Sequence, residues 1–105
     1  MKIYIAGKIS GDPNYKNKFS VAADAVSAAY EGAVILNPAD HPEGLSAAEY
    51  MRLCFAEIDM ADMVMFLPDY KGSSGAQLEL AYCRYTGKPH SFLSKEVTYE
   101  RQWID

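Results

Sequence analysis

Four short apolar runs punctuate the chain, and helical spacing fills the intervals between them. Ile3-Tyr4-Ile5-Ala6 opens the sequence and stops at Gly7, the mark of a strand buried on both faces. Asp12-Pro13 then offers an N-cap and a first helical residue. Phe19, Ala22, Ala23, Val26 and Tyr30 recur at helical spacing until Gly32. Ala33-Val34-Ile35-Leu36 reads as a second strand, stopped by Asn37-Pro38. After a loop through Asp40, His41, Pro42 and Gly44, Ser46-Ala47-Ala48-Glu49 has the form of a capping box. Ala47, Met51, Cys54, Phe55 and Ile58 form the apolar stripe of the helix behind it. Met63 to Leu67 is a third strand, closed by Pro68. The glycine–serine loop Gly72-Ser73-Ser74-Gly75 feeds a third helix that ends at Gly87, with Pro89 just beyond. Ser91-Phe92-Leu93 is a weaker fourth strand. The tail from Lys95 to Asp105 carries Tyr99 and Trp103 without a clear period.

Strand and helix alternating three times predict an α/β domain of three layers, with a parallel sheet covered by helices on both faces. A flavodoxin- or Rossmann-like sheet of four to five strands, in the order 2-1-3-4, is the expected topology. In such sheets ligands sit beyond the carboxyl ends of the strands, where the order reverses. That places a crevice between the loop from Gly7 to Gly11 and the loop from Pro68 to Ser74.

The 105 residues suffice for one domain spanning the whole chain. A domain of that size buries roughly 65% of its unfolded surface and holds a core without staples. The net charge of −4 argues against non-specific binding to nucleic acid or an anionic membrane. It leaves open a small anion held by local backbone amides. Cys54 and Cys83 make no metal-binding spacing and read as two buried free thiols in a reducing compartment. No leader peptide or membrane-length apolar run stands out, so a cytoplasmic protein without metal or cofactor is expected.

One carboxylate interrupts the third helix. On a wheel, Gln77 and Arg84 share one gap between the apolar arcs, the natural solvent side. Glu79 falls in the other gap with Thr86, away from water and from any sequence-near partner. An unpaired carboxylate on a buried side is costly, so either a distant cation pairs with it or a cavity lies there. The helix dipole at that end favours the ionised form. The preceding loop, from Gly72 to Gly75, offers backbone amides and the hydroxyls of Ser73 and Ser74 to an anion. Gly7 suits either close ligand approach or a tight turn. Asn14, with Asn17, either reaches the crevice or faces solvent. Asp40 and His41 lie near the same sheet edge and read also as ordinary loop residues, and His90 as a structural one.

The segments "MKIYIAGKISG", "ILNPAD" and "DMADMVMFLPDYKGSSGAQLELAYCRYTGKP" resemble the nucleoside 2-deoxyribosyltransferase-like superfamily, and within it the DUF4406 branch. The resemblance runs from Met1 to about Pro89. It implies that Glu79 attacks C1′ of a nucleoside or nucleotide and forms a covalent glycosyl–enzyme, resolved by a second base or by water. It implies also that Ser73 helps hold a 5′-phosphate, and that a neighbouring subunit completes the cleft, making the chain a homodimer or larger, with the tail near the interface. Active relatives carry an Asp eight residues before the Asp that opens the third strand. Here that position is Cys54, which favours a second reading: a nucleotide- or partner-binding protein on the same fold without chemistry.

Overall fold

The computed structural model describes residues 1–94. Tyr99 and Trp103, expected near an interface, lie outside the described residues. Four parallel strands, β1 (Lys2–Ala6), β2 (Val34–Leu36), β3 (Met63–Phe66) and β4 (His90–Phe92), pair in the order β2-β1-β3-β4, as the alternation of elements predicts. Three helices connect them: α1 (Tyr15–Ala29), α2 (Ala47–Met60) and α3 (Ser74–Thr86).

The two-residue period of the strands sorts the core. Ile3, Ile5 and Met65 point to one face, where Phe19, Ala22 and Val26 of α1 cover them. Tyr4, Ala6, Val64 and Phe66 point to the other face, against Cys54 and Ile58 of α2 and Leu80 and Cys83 of α3. Each fully buried Ile, Val or Phe contributes about 1.5–3 kcal/mol of transfer free energy. Tyr4 is the exception within β1: it is fully buried yet carries a hydroxyl that needs a partner. Both cysteines are buried and free. Among the described residues no helix is long and apolar enough to cross a membrane.

Several boundaries differ from the sequence expectation, each for a local reason. Helix α1 begins at Tyr15 rather than at Pro13, because the Asp12 carboxylate accepts from the Asn14 amide and forms a turn first. Pro38–Asp40 and Pro68–Gly72 are 3-10 turns, not open loops. The glycine–serine segment is therefore mostly helix: Ser73 is the N-cap of α3, Ser74 its first residue, and the Ser73 hydroxyl accepts from the Ala76 amide at 3.1 Å. The capping box of Ser46 and Glu49 forms as its spacing predicts. Gly7 has a packing role: a Cβ there would meet Leu67 Cδ1 at 2.6 Å.

Candidate active site

A cavity of about 790 Å³ opens at the carboxyl ends of β1 and β3. Gly7, Ile9 and Ser10 line one side of it, and the residues from Gly72 to Ala76 line another. A third side comes from the segment after β2, whose His41 the sequence placed near this sheet edge, and from the start of α2, which adds Tyr50 and Met51. Of the candidate residues, Gly7, Ser73, Ser74, Gly75 and Glu79 meet around this space. Asn14 and Asp40 do not. Asn14 is exposed at the start of α1, and Asp40 belongs to a second hollow of about 460 Å³ on the far side of the His41 loop. The 3-10 turn turns Asp40 away, because Asn37 caps it by accepting from the Ala39 amide.

Glu79 is only 4% exposed, and it has no cationic partner among the described residues. Its carboxylate accepts a hydrogen bond from the Tyr4 hydroxyl. Burial pushes the Glu79 carboxyl up to about 7, which Tyr4 partly opposes and the charge of Glu57 adds to. Sequence reasoning expected the helix dipole to keep this group ionised. The dipole fades beyond the first turn, and Glu79 lies in the second turn, so desolvation wins. The groups around it stay neutral. Burial holds the Tyr4 hydroxyl well above its ordinary range, and it pushes the Cys54 thiol up to about 12. Tyr50 is raised for the same reason and donates to the Pro38 carbonyl at 3.0 Å. Glu79 is thus a carboxylate poised near neutrality in a wall of protonated hydroxyls and a thiol.

The α3 end of the cavity supplies donors. The Ala76 amide is taken by the Ser73 hydroxyl and the Gln77 amide by the Ser73 carbonyl. Among the described residues the amides of Ser74 and Gly75 have no partner, as expected for a helix start. The mouth is braced beside them. Lys18 donates to the Lys8 carbonyl and pairs with Asp12 and Asp69, so the loops after β1 and β3 are tied together. Hydrogen bonding to Lys18 holds the Asp12 carboxyl below its usual range. No three His, Cys, Asp or Glu side chains cluster to hold a metal among the described residues.

Two pairings escaped the sequence. Tyr4 carried a usable signal, since a hydroxyl inside a buried strand must find a partner, and so must Glu79. His41 carried none: its Nε2 lies 2.6 Å from Glu57 Oε1, and its ring meets Tyr50 edge-on at 5.3 Å. Those partners come from α2 and are set by the packing alone. Asp59, on the same helix, turns outward to the Tyr82 hydroxyl at 2.7 Å. His90 packs against the rings of Phe66 and Phe92.

The backbone is similar to that of the solved 2-deoxyribosyltransferase from the psychrotolerant bacterium Bacillus psychrosaccharolyticus. The TM-score is 0.66 at 21% sequence identity, over 88% of this chain and 71% of that one, a likeness of fold. No curated protein matches the chain. Residues 1–92 match the model of the domain of unknown function DUF4406, and the chain belongs to that family, with a nucleoside 2-deoxyribosyltransferase-like fold.

Proposed function

We propose that the protein breaks and remakes the N-glycosidic bond of a deoxynucleoside, with Glu79 as the nucleophile. The observation that carries this reading is the placement of Glu79: nearly fully buried, on a cavity wall, without a cation, and held by a neutral hydroxyl. A carboxylate so poorly solvated keeps its nucleophilicity, and a bond to Tyr4 fixes one oxygen while the other is free to attack. In the first step a Glu79 oxygen bonds to C1′, the C1′–N bond breaks, and its electron pair leaves with the base. In the second step the nitrogen of another base, or water, attacks C1′ and restores the carboxylate. The oxocarbenium-like centre between these states is stabilised by the same carboxylate. Ser73, Ser74 and Gly75, with Gly7 opposite, hold the sugar and any 5′-phosphate. The fold likeness to a 2-deoxyribosyltransferase supports the substrate class.

The test is incubation with a panel of deoxynucleosides, alone and with a second free base, followed by chromatography. A new nucleoside or free base, lost in Glu79→Ala, is the expected result. No turnover with any of them, at enzyme concentrations in the micromolar range, would overturn the reading.

Cys54 favours a second reading, a binding protein without chemistry. Its thiol, pushed up to about 12, exchanges no proton at neutral pH. Calorimetric binding of nucleosides without any turnover is the result that selects it.

A further inference from the structure

We propose that Lys18 is a positioning residue that sets the width of the cavity, an inference that rests on the glycosidic-bond reading above for its kinetics and on the cavity alone for binding. Lys18 stands on α1, behind the cavity wall and not in it. Its ammonium reaches three acceptors: the Lys8 carbonyl at 2.7 Å and the carboxylates of Asp12 and Asp69. An ammonium has three N–H groups, so all of them are used inside the protein. The side chain is 17% exposed, and its charge lies 5.7 Å from the centre of the buried Phe19 ring.

The acceptors place this ammonium between two walls of the cavity. The ladder of β1 and β3 stops where the Ala6 carbonyl accepts from the Leu67 amide at 2.7 Å. Two residues on, side chains continue it. Asp69 accepts from the Lys8 amide at 3.2 Å through one oxygen and from Lys18 through the other, while Lys18 holds the Lys8 carbonyl. Lys8 lies between Gly7 and Ile9, which line one side of the cavity. Asp69 lies in the 3-10 turn that delivers Ser73, Ser74 and Gly75 to another. Without the cation, Asp12 and Asp69 would repel each other across the mouth. One ammonium therefore fixes the separation of the groups that hold the sugar and its 5′-phosphate from opposite sides. A site needs such spacing kept within about 0.5 Å.

The probes are the common deoxynucleosides and their 5′-monophosphates, read by calorimetry and by chromatography of released base. All variants are compared at a temperature where circular dichroism shows them folded. Lys18→Met keeps the stem and removes the charge. It is expected to lower kcat/KM by about 10–100-fold, the scale of a misplacement of about 1 Å. It should weaken the monophosphate more than the nucleoside, because the longer ligand spans both walls. Asp69→Asn keeps an acceptor for the Lys8 amide and should give a smaller loss; it also serves if Lys18→Met fails to fold. The double variant should lose no more than Lys18→Met alone, since the two side chains act as one unit. Lys16→Met removes the same charge from the same helix but breaks only an exposed pair with Glu43, and should change little. A lower melting temperature with affinity and rate unchanged, equal losses in Lys16→Met, or multiplied losses in the double variant would overturn the role of Lys18 and leave Glu79 chemistry standing. A wild type that binds these ligands and cleaves none brings down the glycosidic-bond reading, and the affinities of the variants then decide for or against Lys18. A wild type that does neither brings down both.

Discussion

The hydroxyl of Tyr4, in the first strand, donates to the carboxylate of Glu79, in the last helix. Each is buried, and the Cys54 thiol shares the Tyr4 hydroxyl as a second hydrogen-bonding neighbour. The bond restrains the rise of the Glu79 carboxyl, which burial sets at about 7. Tyr4→Phe should therefore push Glu79 higher and move the rising limb of kcat/KM against pH upward. A pH–rate profile checks it, with an unchanged limb counting against. A stability cost of about 1–3 kcal/mol is expected from the unpaired carboxylate.

Glu79 also makes stability depend on pH in an unusual direction. Its folded value, about 7, lies above the ordinary 4.5, so the folded protein binds the proton more tightly than the unfolded chain. The stabilising contribution is complete below about pH 4.5 and is lost as pH rises through about 7. Glu79→Gln removes this dependence and should stabilise the protein at pH 8 by up to about 3 kcal/mol. Urea melts of both proteins at pH 5 and pH 8 measure the difference; a wild type more stable at pH 8 in this comparison would refute it.

Cys54 is 1% exposed and packs between Tyr4 and the core. Cys54→Ala is expected to cost about 1–2 kcal/mol of stability as a small cavity and to change kcat by less than tenfold, since the thiol moves no proton. Cys54→Asp should cost more, because a second carboxylate would then be buried beside Glu79. Thermal melts and single-turnover rates read both effects.

Ser73 serves the helix before it serves a ligand. Its oxygen caps α3, so Ser73→Ala should cost about 1 kcal/mol of stability with or without nucleotide. The free amides of Ser74 and Gly75 remain, so a 5′-monophosphate should still bind more tightly than its nucleoside, by about 1–3 kcal/mol. Calorimetry with both ligands tests this, and equal affinities would leave the segment a helix cap alone.

Leu53 and Met60 on α2 and Leu78 and Tyr85 on α3 are large apolar side chains left exposed, and Leu78 also lines the cavity. Association through these helix faces would cover them and deepen the site. A homodimer or larger is therefore expected by light scattering at micromolar concentration, with Leu78→Asp and Tyr85→Asp together shifting it toward monomer. A monomeric wild type would argue against it.

The order of the strands, the capping box, the glycine that ends α3 with φ of 73° and the interior position of Glu79 were all legible in the sequence. The strand order follows from the alternation of elements along the whole chain, and the others depend on contacts within a turn or on the period of one element, which local sequence carries. Asn14 and Asp40 were read as site candidates from their place near the sheet edge. Turns closed by Asp12 and Asn37 carry both out of the cavity, a matter of a few dihedral angles that periodicity does not see. The state of Glu79 lay beyond the sequence too. The helix dipole is visible there, but desolvation is not, because it depends on how Tyr4 and Cys54, distant in sequence, come up against the carboxylate. His41 and Glu57 are separated by 16 positions and belong to elements with no shared pattern. Only the packing of the second loop against α2 brings that imidazole and carboxylate together, and with it the third wall of the cavity.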